Sequence, residues 1–437
     1  MSGINSANAP SLDLPARFMA LSITALTVVA VTAPWTLPLL QGPFSDFSLL
    51  ALVHLCTLGF IGAMIIGASY QLVPVALQAP LASIRLGRVS FWFYGAGLAF
   101  FLIGLRSSWL FGIGAGGTLL AVAFLLYAAV IGLTWRRAPE RDVVAWHILL
   151  GLVGAIGGMA LGFSLALNKS NGMLGSKLLH ILAAHIILML GGWVLITFTG
   201  IAYRLIGMFT LSEQHFRPRL GWAELVLCAG GSWLLAIRFA FNWPSLIGQI
   251  AAASLLTGLS CFIWQILHLY RHRMRRGIDI HIPFALLAAA LGTTAALLLL
   301  IGLIRHEPPN AAIWVAAAWL AILGTAGTAI QGLFYKIATF LVWLKRYAPV
   351  AGKERVPRLE ELYSRKLALT GWYLWAISMI GGVIVLLAEW PAMPVIGVVM
   401  LGGIGCFLIN VGAIARHWLA DASNPRTRLF FNHRLAR

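Results

Sequence analysis

The chain has 437 residues, 60% hydrophobic and only 10% charged, with a mean hydropathy of +0.89, whereas a soluble domain averages about 45–50% apolar and about 25% charged residues. Because about 20 apolar residues cross a bilayer as a helix, twelve crossings take roughly 240 residues and account for the excess, which predicts an all-α polytopic membrane protein and excludes a barrel of short alternating strands. The formal net charge of +18 does not indicate nucleic acid, because the basic residues sit in connections between apolar runs, where they orient the chain in the lipid bilayer.

In chain order, a polar N-terminus runs to Arg17 and is followed by a full-length apolar span at 18–40, so no cleavable leader is expected. Further spans are predicted at 47–77, 89–106, 109–134, 144–166 and 178–208, then at 220–238, 244–270, 281–304, 311–343, 367–388 and 391–415. With the N-terminus placed in the cytoplasm, 24 of the 31 Lys and Arg residues fall on the cytoplasmic side. That bias predicts cytoplasmic termini and, for a bacterial chain, the inner membrane. The whole of 1–437 reads as a single transmembrane domain. Its longest connection, 344–366 (KRYAPVAGKERVPRLEELYSRK), is a charged cytoplasmic connector, either a solvated linker or a short surface helix. Cys56, Cys228, Cys261 and Cys406 all lie in apolar stretches without CxxC spacing and read as small core side chains.

A repeat is visible within this series. LGFIGAMIIGASYQLVPV, GGWVLITFTGIAYRLIGMF and LGTAGTAIQGLFYKIATF each carry two glycines eight residues apart and a tyrosine three residues later. The triples are Gly59/Gly67/Tyr70, Gly192/Gly200/Tyr203 and Gly324/Gly332/Tyr335, with tyrosines 133 and 132 residues apart. The twelve helices therefore read as three pseudo-repeated four-helix units. In each unit the second helix uses small residues for close backbone approach. The residue after each tyrosine is polar: Gln71, Arg204 or Lys336. These side chains either snorkel to the inner headgroups or hold an anion, such as a cofactor carboxylate or a quinone oxygen.

HLCTLGFIGAMIIGASYQLVP (54–74) resembles the second helix of nitric oxide reductase large subunits, and HIILMLGGWVLITFTGIAYRLIGMF (185–209) looks like the same element repeated. With twelve helices in three units, the chain resembles subunit I of the haem–copper oxidase superfamily. In that superfamily, helix two supplies a haem-ligating histidine, helix ten supplies two more, and helices six and seven hold copper. Here His54 stands in the helix-two position, and His180 or His185 in helix six. Helix ten has no histidine, Trp319 occupies the depth of His54, and span seven has none. Copper is therefore not expected, nor oxygen reduction at a binuclear centre.

The depth of the histidines supports the same reading. His54 and His185 lie six or seven residues inside their helices, about 9–11 Å below the outer boundary. Ionisable groups at that depth are costly and mark functional sites, and neutral imidazole is a common axial ligand of haem iron. The alternative is a pair of interhelical hydrogen bonds serving packing alone. His180 lies five residues before His185, about 140° around the helix. It reads as an entry-side or supporting residue, or with His54 and His185 as a mononuclear metal site. His147, His215, His268, His272, His281, His417 and His433 are expected at the cytoplasmic interface, and His306 in an outer loop. No carboxylate is expected mid-membrane, with Glu224 and Glu389 nearest to burial, which argues against proton-coupled carriage and redox pumping.

Two functional readings follow. In the first, the protein binds haem b through His54 and His185, with His180, Arg204 and Lys336 as further cofactor-binding residues. It then serves electron transfer, fed by a quinol or a cytochrome, or the handling of nitric oxide or another diatomic gas, with a partner subunit possible. The second reading is a twelve-helix carrier of a small neutral or anionic solute, although common carriers repeat as halves rather than thirds.

Overall fold

Residues 12–274 and 279–419 are described by the structure, a computed structural model. Arg275, Arg276, His433 and the basic residues from Arg426 onward lie outside the described residues. Twelve helices are long and apolar enough to cross a membrane. They are α1 (Asp13–Gln41), α2 (Phe47–Ala76), α3 (Ile84–Arg106), α4 (Leu110–Arg136), α5 (Val143–Asn171) and α6 (Gly175–Thr210), then α7 (Pro218–Ala240), α8 (Ser245–Arg271), α9 (His281–Ile304), α10 (Ala312–Arg346), α11 (Arg365–Leu387) and α12 (Met393–Leu419). All twelve expected spans are present, most of them longer than their apolar runs.

Local chemistry fixes several ends. The Asp46 carboxylate accepts from Leu49 N–H at 2.9 Å to start α2, and Asp142 accepts from Ala145 N–H at 2.9 Å to start α5. Gly172 ends α5 at φ 65°, a left-handed position that favours glycine. Within 344–366, α10 extends to Arg346 and α11 begins at Arg365, and the segment between is built of short 3-10 turns, not a surface helix. It is tied down: Trp343 Nε1–H donates to the Pro357 carbonyl at 2.9 Å, and Leu362 is buried.

The helices close into a ring. At its seam Gly397 of α12 sits so close to α1 that an added Cβ would lie 2.6 Å from the Pro34 backbone. In the middle, α2, α6 and α10 each change from α- to π-helical winding for eight residues, at Leu55–Gly62, Leu188–Leu195 and Leu320–Gly327. The α10 segment packs against the other two. The π segments begin 133 and 132 residues apart, the spacing of the repeated tyrosines. π-helical winding is rare and is often found at functional sites.

Candidate functional site

Just outward of the π segment of α2 stands His54. Its Nδ1–H donates to the Leu50 carbonyl at 2.8 Å, and its ring meets Phe101 edge-on at 5.1 Å between centroids. His185 lies three residues before the π segment of α6. Its Nδ1–H donates to the Gly158 carbonyl of α5 at 2.7 Å, and the ring rests on Gly162, where an added Cβ would lie 2.7 Å from Cε1. A carbonyl can only accept, so each ring carries its proton on Nδ1 and leaves the Nε2 lone pair free.

Both rings line one cavity of about 1110 Å³. Their partial exposure is to this cavity, since both lie well inside their helices. The walls are mostly leucine, isoleucine, alanine and phenylalanine. His180 also lines the cavity, on the same helix as His185 and closer to its outer end. Among the described residues no three His, Cys, Asp or Glu side chains are grouped to hold a metal ion, so His180 does not complete a three-histidine metal site with His54 and His185. An iron held by a planar macrocycle requires only two axial ligands from the protein. What the structure supplies is two imidazoles with unbonded Nε2 atoms on one apolar cavity larger than most drug-sized pockets, about 300–1,000 Å³.

Trp319 immediately precedes the π segment of α10, as His54 does that of α2. Its Nε1–H donates to the Met379 carbonyl at 3.1 Å, and its ring packs on Gly382 of α11. In α10, then, this position packs against α11 and offers no ligand.

Arg204 and Lys336, expected beside a cofactor, do not line the cavity. Arg204 donates to Asp142 Oδ2 at 2.7 Å and to the Ala76 carbonyl at 3.3 Å. Lys336 is ion-paired with Asp279, and its ammonium lies over the Phe209 ring at 4.9 Å. Each is thus ion-paired away from the cavity, nearer the opposite ends of the helices from the histidines. At two of the three repeated positions after the tyrosine, the side chain is therefore engaged in an ion pair rather than facing the cavity.

Two expectations for the remaining ionisable groups are also corrected. His147 is fully buried, not interfacial: Nδ1–H donates to the Val143 carbonyl at 2.7 Å, and Nε2 lies 2.6 Å from Glu224 Oε2. Glu224 is fully buried too, and the Tyr203 hydroxyl donates to the same oxygen at 3.2 Å. His281, likewise expected at the interface, is buried beside Asp279. Sequence reading missed the His147–Glu224 pair because its members are 77 residues apart. The available signal was a potential cation and a potential anion, each near the start of its span.

The twelve-helix fold has a counterpart among solved structures. A cryo-EM structure of a heme-copper terminal oxidase dimer matches with a TM-score of 0.61 at 12% identity, covering 94% of this chain and 84% of that one. The fold is similar to that of haem–copper oxidase subunit I. No protein-family model matches the chain, and no curated protein matches it by sequence. The shared architecture is that of a multi-pass membrane protein whose counterpart works in an assembly.

Proposed function

We propose that this protein is a membrane haem protein in which His54 and His185 supply both axial ligands of one b-type haem, for electron transfer or the handling of nitric oxide or a similar diatomic gas. The observation that carries this reading is the pair of imidazoles, each committed at Nδ1 to a backbone carbonyl and free at Nε2, on one large apolar cavity. The carbonyl bonds fix the tautomer and ring orientation and raise the basicity of the free nitrogen, as outer partners of ligating histidines generally do. Phe101 and Gly162 limit the ring torsions from the other side.

Bound haem supplies a one-electron iron couple at this site. The walls keep water away and lower the local dielectric, which affects reduction potential. Were both imidazoles to hold the haem, the site would suit electron transfer from a quinol or a cytochrome. Were only one to hold it, the other would be left as a hydrogen-bonding group for a bound diatomic gas. We place the protein in a bacterial inner membrane, multi-pass, with cytoplasmic termini and a partner subunit.

A carrier reading gains from the length of the cavity, which reaches from His306 beyond the outer end of α9 to His281 at its start. Arg204 and Lys336, the cations that could attract an anionic solute, are paired elsewhere. Purification after haem-replete expression and a pyridine haemochrome count test the proposal. About one b-type haem per chain is expected, and a colourless, folded protein contradicts it.

A further inference from the structure

The described residues lining the cavity include one permanent cation, Arg238, two residues before the outer end of α7. Its guanidinium lies over the Phe239 ring at 4.7 Å, and its Nε is buried with no hydrogen-bond partner. It has no ion pair among the described residues. The one carboxylate on the cavity wall, Glu307, is paired with Arg305 at 3.1 Å. Gly248 of α8 leaves room beside the arginine, since an added Cβ would stand 3.5 Å from both Cδ and Nε. Asn242 and Ser245 line the wall in the same turn between α7 and α8 and offer further donors.

A half-buried cation without a counter-ion is costly, and inside a membrane protein it marks a site for an anion. A planar guanidinium fork suits a carboxylate, which it can bind through two parallel hydrogen bonds. Arg238 lies near the outer end of its helix. His180, about 7.5 Å outward of His185 along α6, shares the wall with it. The cavity therefore has a long apolar body, imidazoles part-way down and a positive group towards its outer end. A flat apolar ring with carboxylates on one edge has the complementary shape and charge.

We infer that Arg238 binds a carboxylate, the propionate edge of the macrocycle, and orients that edge towards the outer face. The inference rests on the haem reading of this cavity and assigns the second end of the same ligand. Arg238 is in this sense a binding residue that fixes which way round the ring enters.

The test titrates the full chain, prepared haem-free in detergent, with protohaem and with its dimethyl ester, in which both carboxylates are neutral. The wild type is expected to bind protohaem about ten- to a hundredfold more tightly than the ester. Arg238→Leu is expected to remove that preference by weakening protohaem alone, and Arg238→Lys to restore part of it. Equal affinity of the wild type for both forms, or an Arg238→Leu loss that is the same for both, overturns the inference while leaving axial ligation standing. The wild-type comparison needs no variant, so a misfolded mutant does not rescue the idea. Failure to bind either macrocycle overturns the haem reading and this inference together.

Discussion

His185 donates from Nδ1 to the carbonyl of Gly158 at 2.7 Å, while one turn further along α5 the bare α-carbon of Gly162 receives the Cε1 side of its ring. Two glycines on one helix thus aim an imidazole carried by another. One supplies an acceptor and the other supplies space.

Gly162→Ala tests that arrangement. A methyl group 2.7 Å from Cε1 forces the ring to move, and overpacking of this kind costs about 1–3 kcal/mol. Haem affinity is expected to fall about tenfold with an altered low-spin spectrum. Gly114→Ala on α4, where nothing lies within 4 Å, is expected to change neither. Absorbance titration of both variants checks this.

Glu224 is expected to matter for stability. Glu224→Ala leaves His147 Nε2 and the Tyr203 hydroxyl without their acceptor in a fully buried setting. Breaking a buried pair from one side costs about 3–5 kcal/mol. Replacing both partners, as His147→Phe with Glu224→Leu, is expected to recover more than half of that. Thermal unfolding in detergent measures both, and additive losses would show that the pair is not coupled.

The repeated cations separate from the cavity in the same way. Arg204→Ala removes a partly exposed ion pair and is expected to cost less than about 1 kcal/mol. Lys336→Met leaves Asp279 without its main partner and is expected to destabilise more. Neither is expected to shift a haem spectrum. A spectral change in Arg204→Ala would return that residue to the site.

The connector carries a pH dependence of its own. The Glu360 carboxyl is held above its ordinary value of 4.5, first by its hydrogen bond to Asp279 and then by desolvation and the charge of that residue. Burial works against ionised Asp279, but the bond to Lys336 and its charge keep this carboxyl low. Because the folded value for Glu360 is raised, its contact is fully present below 4.5 and is lost as pH rises through that raised value. Hydrogen exchange at Leu359–Leu362 is expected to quicken over that window relative to Glu360→Gln, which does not titrate. Equal exchange in the two proteins at every pH contradicts this.

Much of this was legible in the sequence. Apolar run length against bilayer thickness marked all twelve helices, and the Gly–Gly–Tyr triples marked the three spans that meet in the middle. The depth of His54 and His185 selected them from eleven histidines. The π winding was not legible, because it depends on how neighbouring helices pack. Pairings such as His147 with Glu224 and Lys336 with Asp279, 77 and 57 residues apart, require knowing which helices are neighbours. In the sequence Arg238 is one more arginine near the end of a span, and only the cavity beside it distinguishes it from a headgroup-facing arginine.

Low-temperature electron paramagnetic resonance of the oxidised, haem-loaded protein tests the central claim most directly, on the wild type and on His54→Ala and His185→Ala. The account predicts a low-spin bis-imidazole signal in the wild type that turns high-spin when either ring is removed. A wild-type low-spin signal that survives in both variants would contradict it.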